Sequence, residues 1–436
     1  VARVWAESVG CKVSLADAEG LQAGLLAAGH EAAACADEAD VAVVTTCCVT
    51  AEAERSSRQR VRRLATKGLP VVVAGCAVGY RPEQFAVDGV VISSREGVPA
   101  AVSAVLARTE THGAGFGAHA RQDATVGSLA DAARSDGSTA CHRRGRTRAV
   151  LKVQDGCASA CTYCAVRLVR GEPWSLPLTD AVDAARAVLR SGCGELVISG
   201  INLGLYSGSR ESGAPADLAE LVAALVELSG LQRLRLSSIE PLHVDARLLR
   251  VLAHARVARH LHVPLQSADD GVLTDMGRPY TFARYCDTLA AVRAALPGAM
   301  ISTDVIVGFP TESETAFERT LAAIGGPDGL FGRVHVFTYS PRPGTAAARL
   351  RPLPAAELRR RRAAALAAAA AAQEAAAERL VGGTVEVLLE DRRNGYWRGY
   401  SSEYARCVVA GPGRRGTLVT ARVRDRVSAE LLCEVV

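Results

Sequence analysis

At 436 residues and 49% hydrophobic content, the chain has material for about three cored domains. No run of about 18 strongly apolar residues occurs, since Gln373 and Glu374 interrupt the Ala-rich stretch Ala363–Ala377, so no membrane span is expected. The net charge of +5 is mild, and Lys stands only at 12, 67 and 152 among 51 basic residues; the Arg bias suits phosphates and bases, and a GC-rich genome explains it equally well.

Residues 1–106 read as a parallel α/β domain. Arg3–Val9, Asp40–Thr46 and Leu69–Gly75 have strand patterns; Ser14–Ala28 and Glu52–Ala65 have helical ones. Cys11, Cys47 and Cys76 each follow a strand end, where parallel sheets gather ligands. They are either a second thiolate set or three small residues buried at strand ends. Strand alternation predicts that only one of Cys47 and Cys48 faces such a site. No apolar signal core opens the chain, and thirteen cysteines are too dilute for a secreted disulfide scaffold. A cytoplasmic, reducing compartment is expected, with clustered thiols as metal ligands. Residues 107–145 lack periodicity and read as a linker, with Cys141 inside it and the basic run His142–Arg148 at its end.

Residues 146–354 repeat strand and helix. Strands are predicted at Val150–Val153, Glu195–Ser199, Arg233–Ser237, His260–Leu265, Ile301–Gly308 and Arg333–Tyr339. Six units are too few for a closed eightfold barrel and imply an open, partial (β/α)6 barrel. After its first strand comes Cys157-Ala-Ser-Ala-Cys161-Thr-Tyr-Cys164. Three thiolates are one short of a closed tetrahedral site, but they suit a 4Fe–4S cluster with one open iron. The bland alternatives are unrelated buried thiols, or a zinc site completed by a distant His. Residues 355–379 form a connecting helix, whose run Arg359–Arg362 must be partly solvated. Residues 380–436 hold five short strand patterns, a small β-barrel. Arg392, Arg393, Arg398, Arg406, Arg414 and Arg415 interleave there with Tyr396, Trp397, Tyr400 and Tyr404. That pattern reads as a stacking-plus-phosphate surface for RNA, or as a barrel whose aromatics are core. The expected fold class is therefore α/β throughout the first two domains, with a C-terminal β-barrel.

From Arg3 to about Val435 the chain resembles the radical S-adenosylmethionine (radical SAM) methylthiotransferases, closest to the branch acting on threonylcarbamoyladenosine at position 37 of tRNA. The resemblance is carried by Ser8-Val-Gly-Cys11-Lys-Val, Thr46-Cys47-Cys-Val-Thr50, Ala74-Gly-Cys76, Arg146-Thr-Arg-Ala-Val-Leu-Lys-Val-Gln-Asp-Gly-Cys157 and Gly200-Ile-Asn-Leu-Gly204. It continues through Leu236-Ser-Ser-Ile-Glu-Pro241, His262-Val-Pro-Leu-Gln-Ser267, Thr303-Asp-Val-Ile-Val-Gly-Phe-Pro310 and His335-Val-Phe-Thr-Tyr-Ser340. The last domain resembles a TRAM domain, an RNA-binding barrel, at Gly399-Tyr-Ser-Ser-Glu-Tyr404. Thr45, Gly277 and the long linker depart from the family pattern, and none removes a ligand.

The resemblance implies two 4Fe–4S clusters, one on Cys157, Cys161 and Cys164 and an auxiliary one on Cys11, Cys47 and Cys76. It implies SAM as radical source and methyl donor, with Tyr163, Asn202, Ser237, Ser238, Gln266 and Asp304 near SAM. Implied partners are the tRNA anticodon loop and an electron donor such as flavodoxin or ferredoxin; a monomer is expected. Placing sulfur on an aromatic C–H offers no acidic proton and no leaving group, so a radical is required. Rival readings are the sister branch acting on isopentenyladenosine, enzymes that modify an aspartate of a ribosomal protein, and a non-catalytic iron–sulfur RNA-binding protein.

Overall fold

The computed structural model describes residues 1–112, 146–326 and 329–436. The first domain is a five-stranded parallel sheet, ordered Glu31–Ala32, Arg3–Val9, Val41–Thr46, Val71–Gly75, Val90–Ile92. Its central strands are continuous valine runs because both faces are covered. Val44, Val71 and Val73 pack with Val61 and Leu64 of the helix Ala51–Ala65. Val41, Val43 and Val72 pack on the other face with Val98 and Val102 of the helix Val98–His112. That helix carries through residues expected to begin the linker, since Ala107 and Arg108 are strong helix formers. The rest of the linker reading, Cys141 included, lies outside the described residues.

Six parallel strands make the central domain: Arg148–Lys152, Glu195–Ser199, Arg233–Leu236, His260–His262, Met300–Val307 and Arg333–Thr338. They form two three-stranded ladders joined by isolated bridges, Leu234 to Val257 and Ser238 to His262, an open barrel as expected. Alternation sends Ala149, Leu196, Ile198, Leu234, Leu236 and Val305 to the outer helices. Glu195, Arg233, Arg235, His260, His262 and Asp304 occupy the opposite, inner side. The fourth strand is shorter than predicted, because Pro264 has no N–H to offer and Gln266 turns the chain at φ 71°.

The helix Ala355–Glu378 lays Ala365, Ala369, Ala372 and Ala376 against the barrel, which lets the two backbones approach closely. Of its four-Arg run only Arg361 is buried, held by Glu312 at 2.8 Å. The last domain is a closed five-stranded barrel. At Gly399 a Cβ would meet the Leu388 carbonyl oxygen at 1.8 Å, so only glycine permits this strand crossing. Among the described residues no helix is long and apolar enough to cross a membrane.

Candidate active site between two cysteine sets

The loop carrying Cys157, Cys161 and Cys164 is fixed from several directions. Gly156 sits at φ 72°, and a Cβ there would meet the Glu172 carbonyl oxygen at 2.1 Å. Gln154 Nε2 donates to the carbonyls of Asp155 and Gly156, both at 2.8 Å. Gln154 Oε1 accepts from the Asn202 backbone N–H at 3.0 Å, tying the second strand's end to the cysteine loop. Thr162 N–H donates to the Met276 carbonyl at 3.0 Å. Arg278 donates to Cys161 Sγ at 3.3 Å and pairs with Glu240. All three cysteines are free thiols. Burial, with the negative charge that Cys161 and Cys157 can carry nearby, pushes Cys164 up to about 12. Three free thiols on one fixed loop are the donor set that a thiolate-bound iron–sulfur group takes.

Cys11, Cys47 and Cys76 do converge. A hydrogen bond from the Cys47 thiol holds Cys11 down to about 6, and one from Cys48 holds Cys76 down to about 7 against burial. The expectation that one of Cys47 and Cys48 turns away is corrected. The strand ends at Thr46, so the pair lies in loop backbone where alternation no longer applies, and both sulfurs reach the group. Gly10 is required at the crowding point, where a Cβ would approach Cys47 Cβ at 2.8 Å.

Arg170 joins the two sets. It lies in the short helix Val166–Arg170 that follows Cys164, yet its Nε donates to Cys76 Sγ at 2.9 Å. Its other nitrogens donate to Asp155 at 2.8 Å and to Asp17 at 2.9 Å. Lys152 and Arg95 complete the network. Burial alone would raise Asp17, but Lys152, Arg170 and Arg95 hold it down to about 2. A depressed folded pKa contributes stability that is present above the unfolded value near 4 and lost as pH falls through about 2. Urea unfolding is therefore expected to lose about 2 kcal/mol from this residue between about pH 4 and pH 2, a slope that Asp17→Asn removes.

A cavity of about 150 Å³ lies between Cys48 and Cys164, lined also by Val49, Tyr163, Gln266 and Asp304 among others. Three of the six residues expected near SAM thus share this cavity. The other three sit on neighbouring strand ends. Asn202 is buried with its Oδ1 unpartnered among the described residues, a free acceptor suited to an ammonium group. Ser237 Oγ accepts from Gly200 N–H at 3.4 Å, the turn-forming role, and Ser238 bridges to His262. Gln266 holds a left-handed backbone at the cavity wall, a strain of about 1 kcal/mol that proteins keep at functional sites. Burial would raise Asp304, but hydrogen bonds from His262 and His335, at 3.1 and 3.0 Å, hold it well below the usual carboxylate range.

Sequence reasoning missed Gln154, Arg170, Arg278 and His335 as site residues. The last barrel also differs from expectation in its aromatics. Trp397 is core, and Tyr400 and Tyr404 stack on each other at 5.0 Å beside Arg148. Tyr396 remains the exposed ring, with Arg392, Arg393, Arg398, Arg406, Arg414 and Arg415 all solvent-facing.

Residues 151–324 match the family described as Radical SAM superfamily, and residues 3–93 match Uncharacterized protein family UPF0004. The chain is 30% identical over 429 residues to the threonylcarbamoyladenosine tRNA methylthiotransferase MtaB of Thermotoga maritima, covering 96% of this chain and 94% of that protein. It is 29% identical to a probable threonylcarbamoyladenosine tRNA methylthiotransferase of Pyrococcus horikoshii, covering 100% and 99%. It is 31% identical to a tRNA-2-methylthio-N(6)-dimethylallyladenosine synthase of Herpetosiphon aurantiacus, covering 91% and 88%. In fold it is similar to the radical SAM methyltransferase TsrM of Kitasatospora setae, with a TM-score of 0.54 and 16% identity over 79% of this chain and 76% of that one.

Proposed function

Because the chain belongs to the radical SAM tRNA methylthiotransferases, we propose that it methylthiolates C2 of N6-threonylcarbamoyladenosine at position 37 of tRNA. One observation carries this reading: the barrel loop of Cys157, Cys161 and Cys164 and the first-domain cysteines approach one cavity, which Cys164 and Tyr163 line from one side and Cys48, the neighbour of Cys47 and Cys76, from the other. Cys157, Cys161 and Cys164 would hold the first cluster, and Cys11, Cys47 and Cys76 the auxiliary one. When bound, the two clusters and SAM supply one-electron reduction, a carbon radical, sulfur and a methyl group.

The protein's own residues bind, orient and shield. Arg278 and Arg170 donate to Cys161 and Cys76, and the charge of Arg170 helps hold Cys76 toward the thiolate form that ligates iron. Gln154 fixes the loop before Cys157 and orients Asn202, whose free Oδ1 is offered to the SAM amino group. Tyr163 and Gln266 wall the cavity against water. The exposed Arg392, Arg393, Arg398, Arg406, Arg414 and Arg415, with Tyr396, suit an RNA backbone and an unpaired base. An anticodon-loop base is already outside a duplex, so its extrusion costs little. A cytoplasmic monomer served by a flavodoxin or ferredoxin completes the proposal.

The dimethylallyladenosine synthases are relatives of comparable identity, so that substrate is the second reading. Mass spectrometry of tRNA nucleosides from a deletion strain decides between them. Loss of 2-methylthio-threonylcarbamoyladenosine is expected; loss of the isopentenyl product instead sinks the first reading.

A further inference from the structure

Four cations meet inside the open barrel at one aromatic ring. Measured to the Tyr404 ring centroid, Arg235 lies at 4.5 Å, Lys12 at 5.6 Å, Arg148 at 5.9 Å and Arg333 at 6.0 Å. Two of them have carboxylate partners: Arg235 pairs with Glu195 at 3.2 Å and Arg148 with Glu390 at 2.8 Å. Among the described residues, Lys12 and Arg333 have none within 4.0 Å; Glu403 lines the adjoining cleft with Arg333 without reaching it. Two half-buried cations left unpaired beside two paired ones form a receptor for an anion.

The place identifies the anion's source. A line of polar side chains runs from the cavity to this ring. Asp304 lines the cavity and meets His262 at 3.1 Å; Ser302 Oγ lies 2.8 Å from both His262 and His260; the His260 ring stands 4.8 Å from Tyr404. His260 is buried, and its Nδ1 has no partner among the described residues. In the proposed reaction the target base, with its substituent, is the part of the RNA that enters the barrel. C2 and the N6-bearing carbon of adenine flank the same ring nitrogen. With C2 at the cavity, an arm on N6 would leave from the adjoining edge of the ring, where the polar line toward Tyr404 begins at Asp304.

We propose that Lys12 and Arg333, backed by Arg148 and Arg235 around Tyr404, bind the carboxylate of an amino-acid arm on N6 of the target adenosine and so set substrate choice. The proposal rests on the threonylcarbamoyl reading above and adds the residues that enforce it. A neutral dimethylallyl arm brings no anion and leaves both cations unpaired.

The test uses the full chain with its clusters reconstituted anaerobically. Its probes are anticodon stem-loops carrying threonylcarbamoyladenosine, its neutral carboxamide, or plain adenosine at position 37. Wild type is expected to bind the carboxylate loop about tenfold more tightly than the carboxamide loop. Lys12→Met and Arg333→Met are each expected to erase that preference while binding to the plain loop stays within about twofold; Lys12→Arg is expected to keep the preference. Iron content checks that Lys12→Met has not disturbed the neighbouring Cys11, and Arg333→Met tests the receptor independently of it. Preference retained in both Met variants overturns the receptor, and so does an equal loss for all three loops, the sign of a phosphate contact. Wild-type turnover separates the two failures. An enzyme that methylthiolates only a dimethylallyl loop overturns the substrate reading itself, whereas one that converts the carboxylate loop while its variants keep the preference overturns the receptor alone.

Discussion

Replacing Cys157, Cys161 and Cys164 together with alanine is expected to cut bound iron from about eight to about four per chain and abolish reductive cleavage of SAM to 5′-deoxyadenosine. The complementary Cys11→Ala/Cys47→Ala/Cys76→Ala protein is expected to lose a similar share of iron but still cleave SAM, with no methylthio product. The asymmetry follows from the architecture, because the first set belongs to one short barrel loop while the second is assembled from three strand ends. Iron analysis and chromatography of the nucleoside products read both outcomes. A barrel-loop variant that keeps all its iron defeats the two-cluster assignment. The sulfur of Cys48 beside Cys76 calls for one control. Cys48→Ala is expected to keep about eight irons; loss of half would move the third auxiliary ligand from Cys47 to Cys48.

Arg170→Met is expected to be the most destabilising single change in the molecule, at about 3–5 kcal/mol, because it leaves buried charge uncompensated. Asp17 and Asp155 are each almost fully buried, and Arg170 contacts both as well as Cys76. Lys152 and Arg95 remain, but neither reaches the cysteine sulfur. Burial opposes the charge on Arg170, and the negative groups around it raise its pKa further above the ordinary guanidinium range, so it stays protonated throughout. Guanidinium unfolding measures the loss, and iron content is expected to fall with it as Cys76 loses its donor. An unfolding midpoint within error of wild type would show that the network does not join the two domains energetically. Arg170→Lys is expected to recover only part of the stability, since one ammonium cannot address three partners in a fork.

The parts legible from sequence were those written in local periodicity. The valine runs announced the central strands, the C-x3-C-x2-C loop announced a thiolate site, and six strand–helix units announced an open barrel. The strand ends also placed Cys11, Cys47 and Cys76 at one sheet edge. Residues whose role depends on distant segments were not legible. Arg170 and Arg278 are two arginines among 48, and only folding brings them to Cys76 and Cys161. Cys48 misled because the alternation rule was carried one residue past the end of its strand. Trp397 and Tyr404 were grouped with surface aromatics by composition. Yet the barrel closes around Trp397, and the tight bend at Tyr404, with φ 69°, points its ring toward Arg235.

The reach of Arg170 back to Cys76 sets an order of events during synthesis. The strands and cysteines of the first domain leave the ribosome 94 residues ahead of the arginine that completes their surroundings. At about 5–20 residues per second, that interval is roughly 5–20 s. Throughout it the nascent domain carries Cys47, Cys48 and Cys76 with the Cys48 hydrogen bond available but without the Arg170 guanidinium that also lowers Cys76. The surroundings of Cys76 are therefore expected to be complete only once the start of the next domain has folded against the first.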